Sequence, residues 1–260
     1  MTVGMIGTGN MGAALMAAMA PYYPLCAFNR GRNKLLRVCT EVGAKSMDCA
    51  ADVAAASDVL ILAVKPAVVE SVLAEVKPVL RPETILCSVA VGLPLSYYEA
   101  RVGADRKLVR VMPNTPAAVG AGATALCFGS TCTKADRDAV KALFACAGLA
   151  EELPEALMGG VSALTGSSPA YICMLIEAMA DAGVYQGIPR AQAIRLAAQA
   201  VLGTAKLVLE SGKHPELLKD EVCSPGGTTI RGVAALEQRG FRGAILDAIN
   251  LCADASKGKE

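Results

Sequence analysis

No part of the sequence constrains the fold as tightly as Thr2–Gly12, TVGMIGTGNMG. A short apolar strand, Val3–Ile6, runs into Gly7-x-Gly9-x-x-Gly12. A helical pattern continues through Met19, with Pro21 just beyond. Strand, glycine turn and helix in that order are the setting a dinucleotide fingerprint needs. Gly7 permits the tight turn, Gly9 lets the backbone approach a pyrophosphate, and Gly12 lets helix pack closely on strand. The helix N-terminus adds free N–H groups and the positive end of its dipole. Ile6, Gly7, Gly9, Asn10, Met11 and Gly12 are therefore the expected phosphate cradle. An apolar N-terminus can also be a targeting segment. This one has no Lys or Arg before its apolar run and is broken by glycines, so it reads as structure.

The length of 260 residues allows two modest domains or one large one. Apolar residues make up 53 %, with no Trp and four Phe, so the core must be built from Ala, Val, Leu, Ile and Met. No uninterrupted apolar run reaches bilayer length, and no membrane partner is expected. A net charge of +1, with the signs interspersed, argues against a nucleic-acid partner. Ten cysteines are scattered without a CxxC pair, and His214 is the single histidine. A metal site or a histidine-based triad is not expected. Reduced cysteines in the core fit an intracellular, cytoplasmic chain.

The first half alternates strand and helix patterns. Strands are expected at Val3–Ile6, Leu25–Phe28, Val59–Val64, Thr84–Val89 and Leu108–Met112. Helices are expected at Asn10–Ala20, Gly31–Val42, Ala67–Val76 and Leu95–Val102. Such alternation predicts an α/β fold with a Rossmann-type, doubly wound parallel sheet. Ala123–Phe128 and Ala150–Leu153, around a helix at Ala135–Ala145, should extend it. After Pro154 only helical periods remain: Pro169–Tyr185, Arg190–Glu210, Gly226–Gln238 and Gly243–Ala255. The expected division is 1–153 for a nucleotide-binding domain and 154–260 for an all-helical domain. Arg190–Glu210 is apolar on more than one stripe, as in an oligomer interface or in a monomer's own core helix.

A site for NAD carries an acidic residue at the end of the second strand, to bind the ribose 2′-hydroxyl. Here the strand ends in Asn29-Arg30, with Arg32 and Lys34 close behind. An amide and a guanidinium suit a 2′-phosphate, so NADP is the expected cofactor, with NADH possible. The alternative is an ordinary solvated basic turn. In a doubly wound sheet ligands lie beyond the carboxyl ends of the strands. Ala63-Val64-Lys65-Pro66 and the stiff Met112-Pro113-Asn114-Thr115-Pro116 loop, Asn114 included, should therefore border the cofactor cleft. A plain turn is the rival reading of the second segment.

Ser224-Pro225-Gly226-Gly227-Thr228-Thr229 precedes a helix whose free N–H groups make a ready carboxylate site. Ser224-Pro225 also reads as a helix start. No nucleophile–base pair stands out, so hydride transfer with little acid–base help fits best. At this point the chain resembles the pyrroline-5-carboxylate reductases from end to end. The resemblance is carried by IGTGNMG (6–12), AVKP (63–66), RVMPNTP (110–116), SALTGSSPAY (162–171) and LKDEVCSPGGTTI (218–230).

That resemblance implies an enzyme that uses NAD(P)H to reduce the cyclic imine (S)-1-pyrroline-5-carboxylate to L-proline, the last step of proline biosynthesis. It implies that Ser224 and the N–H groups of Gly226, Gly227 and Thr228 hold the substrate carboxylate. It also implies that the Thr229 hydroxyl, the catalytic position, orients the ring nitrogen or helps protonate it. A helical C-terminal domain would interlock two chains, with decamers of five dimers common in the family and the substrate between one chain's nucleotide domain and its mate's helices. Two departures stand out. Ser168 replaces a usual glycine, and Gly159-Gly160 replaces Asp-Ala. Other readings left open are a 3-hydroxyacid dehydrogenase, a reductase of larger cyclic imines, one methylene being weak discrimination, and a non-catalytic NADP-binding sensor.

Overall fold

A computed structural model describes residues 1–257, with side chains through residue 255. The described residues form two compact units, one of Met1–Gly166 with 252–257, the other Ser167–Leu251. The first begins with β1 (Val3–Ile6), α1 (Asn10–Met19), β2 (Leu25–Phe28), α2 (Arg32–Val42), β3 (Lys45–Ser46), α3 (Ala50–Ala56), β4 (Val59–Leu62) and α4 (Pro66–Val76). It continues with β5 (Ile85–Ser88), α5 (Leu95–Val102), β6 (Lys107–Met112), β7 (Gly122–Phe128), α6 (Lys134–Ala145), β8 (Gly148–Glu152) and α7 (Met158–Val161). A π-helical turn, Ser162–Ser167, leads out of it.

The eight strands form one sheet in the order β3-β2-β1-β4-β5-β6-β7-β8. Every residue of β1, β4 and β5 is buried, as expected where helices cover both faces of a parallel sheet. Val3 and Met5 face one core layer with Leu15, Met16 and Phe144. Ile6, Leu60 and Leu62 face the other, with Val69, Leu73 and Tyr98. The expected α/β, doubly wound domain is present, and its strands run parallel from β3 through to β6. β7 then pairs antiparallel with β6, and β8 runs parallel to β7. Loop length explains the reversal. Only residues 113–121 join β6 to β7, too few for a parallel crossover, which needs a dozen or more.

Three short elements carry no clear sequence signal. β3 has two residues and pairs only with β2. α3 has seven residues, and α10 (Pro215–Val222) has eight at what reads as a turn. β4 ends at Leu62 rather than Val64, because the chain turns at Ala63–Lys65 to start α4 with Pro66. α6 opens with a capping box. The Thr133 hydroxyl accepts from the Asp136 N–H at 3.2 Å, and the Asp136 carboxylate accepts from the Thr133 N–H at 2.8 Å. Lys107 completes the arrangement with a 2.7 Å ion pair to Asp136.

The second unit is helical throughout: α8 (Ser168–Tyr185), α9 (Arg190–Ser211), α10, α11 (Thr228–Gln238) and most of α12 (Phe241–Lys257). α8 packs on α9 through small residues, with Ala180, Ala193 and Ala197 buried. Few other side chains in this unit are covered. Leu196, Leu202 and Leu209 of α9 are 61 %, 57 % and 76 % exposed, so α9 is not the core helix of a monomer. Residues Glu155–Tyr185 form one helical stretch that is long and apolar enough to cross a membrane by length and composition. Gly159, Gly160 and Gly166 lie within this stretch without ending the helix, and Ser162, Thr165, Ser167 and Ser168 break its apolar residues. Ser168 sits at the first turn of α8 with no positive φ, so the glycine it replaces is not needed there.

Candidate functional site

The ends of β1, β2 and β4 meet at the fingerprint loop. The Gly7 N–H donates to the Phe28 carbonyl and the Ala63 N–H to the Ile6 carbonyl, both at 2.8 Å. Gly7 has φ +102°, a conformation that side chains disfavour. A Cβ on Gly12 would strike the Gly7 carbonyl, whereas one on Gly9 would meet no atom within 4 Å. Gly9 caps α1, and the first intrahelical bond runs from the Ala13 N–H to its carbonyl at 2.9 Å. The N–H groups of Asn10, Met11 and Gly12 are therefore left without helical partners. Open space lies in front of them. This is a cradle shaped for an anion.

A cavity of about 370 Å³ extends from the cradle past the end of β2. Phe28, Val64, Val68 and Val72 give it apolar walls, and Asn29 and Arg30 stand at its rim. The Asn29 amide already bridges two loops. Its Oδ1 accepts from the Thr8 N–H and its Nδ2 donates to the Gly31 carbonyl, both at 3.2 Å. Arg32 is paired with Asp48 at 2.8 Å. Arg30 is exposed and has no ion-pair partner among the described residues. Glu75, at the same rim, is occupied elsewhere, its carboxylate accepting from the Ala50 N–H at 2.8 Å.

On the other side of the cradle is a second cleft, of about 360 Å³. Gly9 and Met11, the Ala63–Lys65 turn, the Pro113–Thr115 loop and Gly166 form its walls. Asn114 is buried here, and both ends of its amide are engaged. Oδ1 accepts from the Ala123 N–H at 2.8 Å, and Nδ2 donates to the Thr165 carbonyl at 3.1 Å. Asn114 thus joins three chain segments beside the cleft. Pro66 starts α4 and Lys65 is its N-cap, with an exposed side chain. Just below, Arg110 pairs with Glu155 at 2.7 Å with 10 % of its side chain exposed.

The buried thiols of this unit are not poised for chemistry. Burial pushes Cys26, Cys39, Cys87, Cys127 and Cys132 up from the ordinary thiol range, which keeps them protonated. Among the described residues no group of three or more His, Cys, Asp or Glu could hold a metal ion.

The hydroxyl- and glycine-rich loop lies in the second unit, between α10 and α11. Gly226 has φ +69° and Gly227 is the N-cap of α11. The Gly227 N–H donates to the Ser224 carbonyl at 3.0 Å, so it is spent within the turn. The N–H groups of Gly226, Thr228 and Thr229 remain as donors. Thr228 and Thr229 are exposed, and neither hydroxyl has a hydrogen-bond partner among the described residues. Around the loop, Glu216 pairs with Lys219 at 2.6 Å and with Arg242 at 2.8 Å, which holds its carboxyl at about 2.

The sequence profile of the pyrroline-5-carboxylate reductase dimerisation domain matches residues 155–259. That of the coenzyme F420-dependent NADP oxidoreductases matches residues 2–92. The pyrroline-5-carboxylate reductase of Escherichia coli K12 is 42 % identical over 260 residues, covering 98 % of this chain and 97 % of its own. The chain belongs to the pyrroline-5-carboxylate reductase family. The family structure from Coxiella burnetii superposes with a TM-score of 0.93 at 31 % identity, covering 99 % of this chain and 98 % of its own. That from Plasmodium falciparum, solved with NADP bound, gives 0.86 at 30 % identity, covering 99 % and 97 %.

Two residues that the sequence does not mark as part of the site, Thr165 and Gly166, border the inner cleft within SALTGSSPAY. The missed signal is Pro169, four residues after Thr165, which removes the N–H that an α-helix would supply to that carbonyl.

Proposed function

We infer that this chain reduces (S)-1-pyrroline-5-carboxylate to L-proline with NADP(H), as an oxidoreductase acting on a cyclic C=N bond. The observation that carries the reading is full-length kinship with that family, joined to an intact phosphate cradle. The fit of the cofactor rests on the cradle itself: open space at Gly9, free N–H groups on α1 and an unpaired Arg30 where a carboxylate would mark NAD. The residues that would hold it are Ile6, Gly7 and Gly9–Gly12 at the phosphates, Arg30 at the 2′-phosphate in the turn that Asn29 braces, and Ala63–Pro66 along the inner cleft, whose wall Asn114 shapes from behind with its amide committed to Ala123 and Thr165. When bound, the reduced cofactor supplies the hydride that C5 of the imine accepts.

The chain's own residues have the remaining tasks. The N–H groups of Gly226 and Thr228, at the positive end of α11, hold the substrate carboxylate, and Ser224 shapes the turn. The Thr229 hydroxyl orients the ring nitrogen. An unactivated hydroxyl is a weak acid, so we assign it orientation and leave the proton to an imine that arrives protonated. As the C=N bond becomes C–N, nitrogen keeps that proton and the product leaves as proline.

The apolar faces of α8 and α9 support a homodimer, since Met174, Tyr185 and Leu209 would otherwise face water at 68 %, 88 % and 76 % exposure. The same requirement accounts for the apolar Glu155–Tyr185 stretch, which lies inside the segment matched by the dimerisation profile. We further propose the division 1–153 and 154–260, a cytoplasmic location, and five dimers in a decamer. The test is NADPH consumption with DL-pyrroline-5-carboxylate, repeated with NADH. Turnover favouring NADPH is expected. A folded, NADPH-binding dimer that turns over neither combination would overturn the assignment.

A further inference from the structure

We propose that Asn114 is a positioning residue, which holds the π-helical turn Ser162–Ser167 in place as one wall of the inner cleft. The argument starts from Pro169. In an α-helix the Thr165 carbonyl would accept from the N–H four residues on, and Pro169 has none. A proline ring also crowds the carbonyl four residues before it. The helix widens into a π-turn at that place, Ser162–Ser167, before α8 resumes at Ser168. π-turns inside longer helices recur at functional sites.

The displaced carbonyl has a dedicated partner. Asn114 Nδ2 donates to the Thr165 oxygen at 3.1 Å. Asn114 has no freedom to turn its amide, because its Oδ1 accepts from the Ala123 N–H at 2.8 Å. An acceptor facing an N–H and a donor facing a carbonyl fix the orientation. The residue is buried, so both bonds are partly shielded from water. The next residue after Thr165 is Gly166, which lines the cleft with Gly9, Met11 and Pro113. A Cβ on Gly166 would stand 3.0 Å from Met112 Cε, so the wall is set close against β6. Asn114 therefore acts on the cleft through Thr165, with its own amide turned away to protein partners.

The proposal rests on the assigned imine reduction only for its kinetic arm. Asn114→Asp keeps the acceptor for Ala123 and places an oxygen against the Thr165 carbonyl. Amide exchange across 162–171 of the cofactor-free protein should speed up by about tenfold. NADPH affinity should stay within about threefold, and kcat should fall by about tenfold or more, because a slightly misplaced wall misaligns the reacting groups. Unchanged exchange, or unchanged kcat with faster exchange, would overturn the proposal. If Asn114→Asp does not fold, Pro169→Ala tests the same carbonyl by restoring its backbone donor. It should slow turnover with NADPH affinity retained, and unchanged turnover in it would be equally fatal. Failure of the wild type to reduce the imine would remove the functional assignment and leave the exchange arm to judge Asn114.

Discussion

Arg30→Asp should reverse the cofactor preference. Arg30 is the one cation in the β2–α2 turn that is both at the cavity rim and unpaired, because Arg32 is committed to Asp48 at 2.8 Å. A charge-assisted hydrogen bond contributes about 1.5–3 kcal/mol. Arg30 is exposed, so the lower part of that range applies, about 1–2 kcal/mol after screening by water and salt. An aspartate facing a phosphate adds repulsion of about 1 kcal/mol at that dielectric. The sum, about 2–3 kcal/mol, is a loss of roughly 30- to 150-fold in kcat/KM for NADPH. NADH has no 2′-phosphate and should change by less than about threefold, so the ratio of the two carries the result. The NADPH loss should shrink as salt is raised. Arg32→Ala is the control and should move the ratio little. Steady-state rates with each cofactor at saturating imine suffice. An unchanged ratio in Arg30→Asp would refute the 2′-phosphate assignment outright.

Thr229→Ala should lower kcat/KM by about tenfold or more, the worth of one transition-state hydrogen bond, with Thr229→Ser keeping most of the activity. Equal kinetics in the alanine variant would take Thr229 out of the mechanism. Phe144→Ala should cost about 3–5 kcal/mol, since Phe144 is 0 % exposed and fills the layer under β6 and β7; a melting temperature within a few degrees of wild type would contradict that packing. Burial pushes the Asp136 carboxyl up, but the bonds from Lys107 and Thr133 outweigh it and hold it below the usual value. Its stabilisation is therefore complete above pH about 4 and lost as pH falls through the lowered value. Asp136→Ala should cost about 1–2 kcal/mol at neutral pH in urea unfolding, converging with wild type in acid. A gap that widened on acidification would reverse the sign of that linkage.

The parts of the fold that sequence alone conveys are those with a strong period or a costly residue type. Gly7 and Gly12 are legible because each has a steric reason within the fold to lack a side chain, and Gly9 because it keeps the space before the α1 N-terminus open. The buried strands of the first half are legible as apolar runs bounded by turns. β3 escaped because two residues carry no period, and the reversal at β7 is topological, visible only when the 113–121 connection is weighed against the span of a crossover. At the site, residue types gave the chemistry but not the commitments of each group. Asn29 and Asn114 have amides suited to a ligand, yet the fold spends both on its own backbone. Gly227 likewise gives its N–H to Ser224. Hydrogen-bond partners distant in the chain have no local signature, so such commitments emerge only in three dimensions.

The stretch from Glu155 to Thr165 is fastened at both ends to one strand and its loop, Glu155 to Arg110 and Thr165 to Asn114. Between the two fastenings it is helical in one form or another, with Met158 and Ala163 turned into the protein. A helix advances about 1.5 Å and turns about 100° with each residue. Adding or deleting a single residue there would rotate one fastening away from its partner while leaving every side chain chemically intact. The interval is thus an index of fixed length, tolerant of conservative substitution at exposed positions and intolerant of any change in count. Length variation among natural or engineered versions of this enzyme should fall outside it.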